Sequence, residues 1–215
     1  RMALPIASSG VVSAPGSALP VLDARSLIER VGLASAVRVL RIKLAFPAEL
    51  FALAAQPLID GHAEFVQLLP VPGSGRFGQP GGQLSRSFAM AIRALDRRRG
   101  QILPRGAAPE VIGAQAYRWT FAVFVAALLR DVPRVCDGMI VRLGMRTGIP
   151  RVWNPSEGSM RTCGAFGYRI ETLPSAVVSD EGDPALALRL FERCVPLFVR
   201  DWLQEDRELM VELRA

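Results

Sequence analysis

One histidine in 215 residues sets a hard limit on the chemistry open to this chain. His62 lies in Gly61-His62-Ala63-Glu64, with Asp60 and Glu64 as its nearest acids. A Ser-His-Asp triad needs a histidine beside its nucleophile, and most zinc sites draw on two or three, so both classes lose their usual donors. The expected place of His62 is the surface or a helix cap. The three cysteines, Cys136, Cys163 and Cys194, are too far apart for a zinc knuckle or a Cys-x-x-Cys pair. They read as small apolar side chains, although Arg134 and Arg161 are placed to make the first two modestly reactive. Glu64, Asp131 and Asp137 remain as oxygen donors for a metal site built without histidine.

Guanidinium is the abundant functional group. Lys43 is the sole lysine among 26 basic residues, a skew that, beside many Ala, Gly and Pro, fits a GC-rich coding sequence. Its distribution carries more information. Residues 171–215 hold ten acids and five arginines, a net of −5, so residues 1–170 must carry +11 to reach the total of +6. A regional basic face attracts phosphate, and its plain alternative is a solvated surface. Arg86, Arg93, Arg97, Arg98 and Arg99 supply one such face, and Arg151 lies beside Trp153. Single-strand binders interleave bases and aromatics in this way. Of the three tryptophans, Trp119 is expected in the core, Trp202 at a helix boundary and Trp153 exposed in a turn. The glycine-rich stretches Gly73-Ser74-Gly75 and Gly78-Gln79-Pro80-Gly81-Gly82 contain neither a Walker lysine nor a dinucleotide G-x-G-x-x-G, so a nucleotide-driven motor is not encoded in them.

The elements that position these groups are mostly helical, giving a mainly α fold with a small β-hairpin or sheet (α+β). Residues 1–22 are Ala, Pro, Ser and Gly-rich and suit a flexible arm, and a single domain is expected over 23–215. Within it, a helical core spans 24–133, a β insert 137–172 and C-terminal helices 184–215. Helical periods run through Leu27, Ile28 and Val31, then Leu40 and Leu44, and then residues 48–69, where Pro57 implies a break between two helices. Residues 70–82 hold five glycines and three prolines and form a long loop. Leu84, Phe88, Ala91 and Leu95 make the apolar stripe of the next helix, with Arg86, Arg93 and Arg97 on another face and Arg97–Arg99 closing it at Gly100. Pro109 opens a helix that is apolar nearly all round from Tyr117 to Leu129, as a core helix is. Met139 to Leu143 and Phe166 to Ile170 are β-prone, and Pro184 reopens helices. No uninterrupted apolar run approaches the length of a membrane span, the longest being Phe121 to Leu129. The expected location is therefore cytoplasmic, away from the membrane.

Three blocks resemble the N-terminal domain of the TraI/MobH family of conjugative relaxases, a domain that carries a helicase label in plasmids and integrating conjugative elements. The first is Ala63-Glu64-Phe65-Val66-Gln67-Leu68-Leu69-Pro70 with Pro80-Gly81-Gly82-Gln83-Leu84. The second is Ala94-Leu95-Asp96-Arg97-Arg98-Arg99-Gly100-Gln101-Ile102-Leu103-Pro104, with Ala107-Ala108-Pro109-Glu110 and Arg118-Trp119-Thr120-Phe121-Ala122-Val123-Phe124. The third is Trp153-Asn154-Pro155 and Tyr168-Arg169-Ile170. Together they cover roughly residues 23–214.

The resemblance implies a helical domain like the HD superfamily, in which histidines and aspartates on neighbouring helices gather a divalent metal for phosphate-ester hydrolysis. This sequence departs from that pattern at the ligands. Arg76-Phe77 stands where relatives carry a histidine pair before the Pro-Gly-Gly turn, Arg86 where a histidine follows it, and Leu128-Leu129-Arg130-Asp131 where Leu-Leu-His-Asp is usual. Guanidinium has no free lone pair and stays protonated, so it cannot ligate a metal. The site is expected to be degenerate at Arg76, Arg86, Arg130 and Asp131, with Arg86 or Arg76 facing Asp131 as an ion pair. Relaxases of this kind suggest tyrosine nucleophiles, but Tyr117 at the start of the core helix and Tyr168 between Phe166 and Ile170 are expected to pack.

The function these features imply is a relaxase-like domain of a mobile element. It would contact DNA through a basic face of Arg86, Arg93, Arg97, Arg98, Arg99, Arg151 and Trp153, with no metal, no cofactor and no hydrolysis of its own. Two alternatives stay open: a metal-dependent relaxase, nuclease or phosphohydrolase using Asp131, Glu64 and Asp137, and a structural module that self-associates or docks on conjugation machinery.

Overall fold

The computed structural model describes residues 18–174 and 182–214. Most of the expected N-terminal arm, residues 1–17, lies outside that range. The chain is mainly helical, with one four-stranded antiparallel sheet. In order, it runs β1 (Leu19–Pro20), α1 (Ala24–Val31), α2 (Ala34–Leu44), α3 (Ala48–Leu50), α4 (Gln56–Val66), α5 (Gly82–Arg99), α6 (Pro109–Leu129), α7 (Val132–Asp137), β2 (Met139–Met145), β3 (Arg151–Val152), β4 (Ala165–Thr172), α8 (Pro184–Cys194), α9 (Leu197–Gln204) and α10 (Arg207–Arg214).

Local signals account for many of the ends. Asp23 caps α1 by accepting from the Ser26 amide at 2.8 Å, and Gly32 ends it in the left-handed conformation at φ 75°. Asp183 likewise accepts from Ala185 N at 2.9 Å ahead of α8. Pro57 does not break the chain into two helices as the sequence predicts. Phe51–Ala55 instead form a π-helical turn that runs into α4, and this turn accommodates the missing N–H of Pro57.

The central element is α6. It packs along α5 and also meets α2, α4, α8, α9 and α10, burying Trp119, Phe121, Phe124, Val125, Leu128 and Leu129. The helical run Pro109–Asp137 is long and apolar enough, by length and composition, to cross a membrane, although its longest uninterrupted apolar stretch is only Phe121–Leu129. Within that run, Trp119–Leu129 supply the residues that face the core. Its ties to the C-terminal helices are polar as well as apolar. Trp119 Nε1 donates to Asp206 Oδ2 at 3.1 Å, Asp206 Oδ1 caps α10 through Leu209 N at 3.0 Å, and Arg118 pairs with Glu205 while lying 5.5 Å from the Trp202 ring centroid.

The sheet order is β1-β4-β2-β3, with Val141 opposite Ile170 and Leu143 opposite Tyr168. The register slips between Gly144 and Met145, whose partners are Gly167 and Ala165, leaving Phe166 as the extra residue. That bulge explains why Phe166 is exposed while Tyr168 is buried, although both lie on one face by strict alternation. The Tyr168 hydroxyl accepts from Leu68 N at 2.9 Å, pinning the sheet to the end of α4.

Residues 19–22 are tied to the domain. Gln67, held at φ 47°, directs its side-chain amide to residue 22: Oε1 accepts from Leu22 N at 2.9 Å and Nε2 donates to Leu22 O at 2.8 Å. This clamp delivers Leu19–Pro20 to the edge of β4. The loop after α4 closes on itself through Val71 N to Phe77 O at 2.8 Å and Gly81 N to Leu68 O at 3.0 Å. A Cβ at Gly82 would sit 1.8 Å from Phe77 O, so a glycine is required where the loop enters α5.

Replacing Tyr168 with Phe removes the hydroxyl that accepts from Leu68 N and should lower unfolding stability by about 1–3 kcal/mol, read by urea denaturation.

Candidate functional site

The sequence singles out Arg76, Arg86, Arg130 and Asp131, and the fold brings two of them together. Arg86 stands one turn inside α5, just past the glycine entry, and Asp131 at the junction of α6 and α7, where Pro133 redirects the chain. Arg86 Nη2 lies 2.8 Å from Asp131 Oδ2, with side chains 26% and 17% exposed. The approach is off the N–H axis, so Oδ2 gains an ionic contact and no directed hydrogen bond. Arg76 remains on the loop, exposed, with its guanidinium 5.2 Å from the Phe77 ring centroid. Arg130 is exposed at the end of α6.

The oxygen donors of the alternative metal site are dispersed. Glu64 is 2.7 Å from Arg161 Nη1 and also accepts from Ala24 N at 3.3 Å, while Asp60 accepts from Gln56 at 2.8 Å. Asp137 is exposed, and partial burial, with the nearby Asp183 charge, raises its pKa. Among the described residues no three His, Cys, Asp or Glu side chains converge as a metal site would require.

Several single residues fall elsewhere than the sequence suggests. His62 is neither a surface nor a cap residue: it is 1% exposed on α4, and burial pushes its pKa down to about 3. An imidazole in this environment is neutral, and its Nε2 has no partner among the described residues. Cys136, proposed as modestly reactive, is buried, and desolvation raises its thiol pKa well beyond the ordinary value. Cys194 is buried too and is pushed up to about 12, whereas Cys163 is half-buried. Tyr168 is buried with a raised pKa, and Tyr117, expected to pack, is 46% exposed while its ring meets Phe46 edge-on at 5.6 Å.

Trp153 is the largest correction to the basic face. It is 5% exposed, its ring lies 5.3 Å from Phe65, and its Nε1 donates to Gly158 O at 2.9 Å, so it has no free face for a base. Its neighbour Arg151 pairs with Glu157 at 3.2 Å. Arg142 and Arg161 are also paired, with Glu171 and Glu64. Much of the positive charge around the sheet is therefore neutralised locally.

The charge along α5 is less compensated. Residues 76–105 contain seven arginines and one acid, Asp96, and Asp96 is engaged by Lys43. Arg99 donates to the carbonyls of Ile42 and Lys43 at 3.3 and 3.5 Å, closing the end of α2. Arg93 and Arg97, one turn apart, are exposed and have no acid within ion-pair distance among the described residues. With Arg98 and Arg130 they border a cleft of about 1300 Å³ between the α5–α6 pair and α8–α10. Arg200 of α9 lines the same cleft. Arg200 was not legible in the sequence because it lies in the net-acidic C-terminal part and reaches the cleft only through the packing of α9 on α6.

Residues 20–213 match the family described as "TraI_2: Putative helicase". The chain belongs to this family. No curated protein matches the chain. The helicase label of the TraI_2 family is not accompanied by a phosphate-loop lysine within these residues, because the one lysine, Lys43, sits on α2 and pairs with Asp96.

Two measurements probe this site. Arg86→Gln should destabilise the fold by about 1–3 kcal/mol by leaving the Asp131 carboxylate uncompensated, and adding Asp131→Asn should recover part of that loss in a double-mutant cycle. For His62, the unfolded chain takes up a proton below its ordinary pKa of 6.5 while the folded chain does not until about 3. Stability should therefore fall as pH drops from 6.5 toward 3, by about 2 kcal/mol between pH 7 and 5, and His62→Met should flatten that slope in pH-dependent denaturation.

Proposed function

We propose that this TraI_2-family chain is a DNA-contacting module of a conjugative relaxase-type protein, holding the phosphate backbone with arginines and carrying no HD-like metal hydrolase centre. The observation that carries the reading is the pair Arg93 and Arg97, exposed on one edge of α5 in a stretch with seven arginines and one acid. Guanidinium binds phosphate oxygens in bidentate fashion without any other group, and contacts of this kind position a protein on nucleic acid with little sequence information.

The metal that an HD-like ancestry implies does not fit the residues present. Three expected ligand positions are Arg76, Arg86 and Arg130, and the remaining carboxylate, Asp131, already faces a permanent cation at 2.8 Å. Arg86 occupies electrostatically the place a divalent ion would take, joining α5 to the α6–α7 junction. The route through Glu64, Asp131 and Asp137 has less support, since Glu64 and Asp131 face separate arginines and the set does not converge.

The test is fluorescence anisotropy with labelled single-stranded and duplex DNA. Affinity should fall steeply between about 50 mM and 200 mM salt, and Arg93→Gln with Arg97→Gln should weaken binding and reduce the log–log salt slope by about 2, one unit per lost phosphate contact. Binding indifferent to salt, or to both substitutions, would count against the reading.

A further inference from the structure

The sheet buries one face and exposes the other. Val141, Leu143 and Tyr168 turn inward. Alternation along β2 therefore places Arg142 and Gly144 on the outer face, and their cross-strand partners on β4, Arg169 and Gly167, share it. Phe166 joins them through the bulge. A Cβ added at Gly144 would sit 3.3 Å from Phe166 Cζ, so the tip of the ring rests over the outward side of that glycine. The Gly144–Gly167 pair puts no side chain in its way, and Phe166 is 54% exposed. A bulge that turns an aromatic outward and a glycine pair that makes room for it together display a ring on an otherwise flat floor.

The charge on this face is lopsided. Arg142 and Arg169 stand directly opposite each other, an arrangement in which like charges repel. Glu171 compensates one of them, accepting from Arg142 Nε at 2.8 Å. Arg169 is exposed and has no acid within ion-pair distance among the described residues. Two adjacent guanidiniums with one acid between them are relieved by an anion that offers several oxygens, as phosphate does. The arginine pair lies two residues along the strands from the glycine pair, about 6–7 Å. An anion held there has the Phe166 ring one pleat away, within reach of a planar group attached to it. A second copy of this chain set face to face would instead bring four guanidiniums together, so charge complementarity favours a polyanion over self-association.

We propose that the outer face of the sheet is a stacking seat for single-stranded DNA, in which a base lies on the Phe166 ring and the adjoining phosphate bridges Arg169 and Arg142. Aromatics set among basic residues hold single strands in this way because every base has a π face, whereas a duplex keeps its bases in its own stack. Trp153, the aromatic expected to stack, is enclosed, and Phe166 takes that part. The choice of DNA rests on the proposed function, but the residues do not, since Arg93 and Arg97 belong to α5.

The experiment titrates the whole chain, by fluorescence anisotropy, with a labelled oligothymidine strand and with a long blunt duplex. Phe166→Leu keeps an apolar side chain and removes the ring. It should weaken strand binding at least about fivefold, leaving duplex binding and the salt slope unchanged. Arg169→Gln should weaken strand binding and lower the log–log salt slope by about 0.7. An independent readout is a strand carrying 5-iodouracil, irradiated in complex with the chain, whose crosslink should map by mass spectrometry to the peptide containing Phe166. Strand affinity unchanged by Phe166→Leu, or crosslinks confined to α5, would overturn the seat and leave the α5-edge reading standing. Strand binding that needs Phe166 but survives Arg93→Gln with Arg97→Gln would support the seat and overturn the α5 edge. Equal loss of strand and duplex binding in Phe166→Leu would overturn stacking. A dimer in sedimentation velocity that Phe166→Leu dissolves, with strand affinity unaltered, would assign the face to a second copy and overturn the proposal.

Discussion

An apolar helix has to be covered on all sides, and α6 imposes that constraint on everything around it. Its residues from Trp119 to Leu129 are buried on most faces, so α5, α2, α4 and the three C-terminal helices are recruited as its shell. Each shell helix can turn only one face inward. On α5 that face is Leu84, Phe88, Ala91 and Leu95, which leaves Arg93, Arg97 and Arg99 exposed and Arg86 and Arg98 partly buried at its margins. The arginine pattern is thus a direct consequence of how α6 is buried. Apolar coverage by itself is indifferent to register, and directed contacts supply it: Trp119 to Asp206, Arg118 to Glu205, and Tyr168 to the amide of Leu68.

The arginines do three separate physical jobs. Arg86 faces an acid across a helix junction, and Arg99 closes the carbonyl end of α2. Arg142, Arg151 and Arg161 are paired around the sheet, where exposed pairs of this sort contribute little to stability. Arg93 and Arg97 have no such partner among the described residues, while Arg98 donates to the Gln101 carbonyl just past the end of α5. A net charge of +6 conceals this division, since the formal count weights a neutralised guanidinium and an available one equally.

Much of the fold was legible because its signals are local. Asp23 and Gly32 bracket α1, Pro109 opens α6, Pro184 opens α8, and β-prone runs mark β2 and β4. What escaped depends on partners distant in sequence. Nothing near Gln67 announces that its amide clamps residue 22, and nothing near Trp153 announces that Phe65 and the Gly158 carbonyl enclose it. Pro57 implied a break between two helices, but a π turn carries the helix through it without separating them. The site was legible to the same extent. A resemblance to a family offered Arg86 or Arg76 as the partner of Asp131, and the fold brings up Arg86, whereas Arg200 became visible only when α9 folded back over α6.

Under the proposed function, arginine charge stands where an HD-like fold would hold a metal. Its most direct test is calorimetric titration of the purified chain with Mn²⁺, repeated with Zn²⁺, using Asp131→Asn as the comparison. The account predicts no stoichiometric uptake of either ion and no difference between the two proteins. One ion bound per chain with micromolar affinity and lost with Asp131 would contradict it, and would show that Arg86 yields its place to a metal.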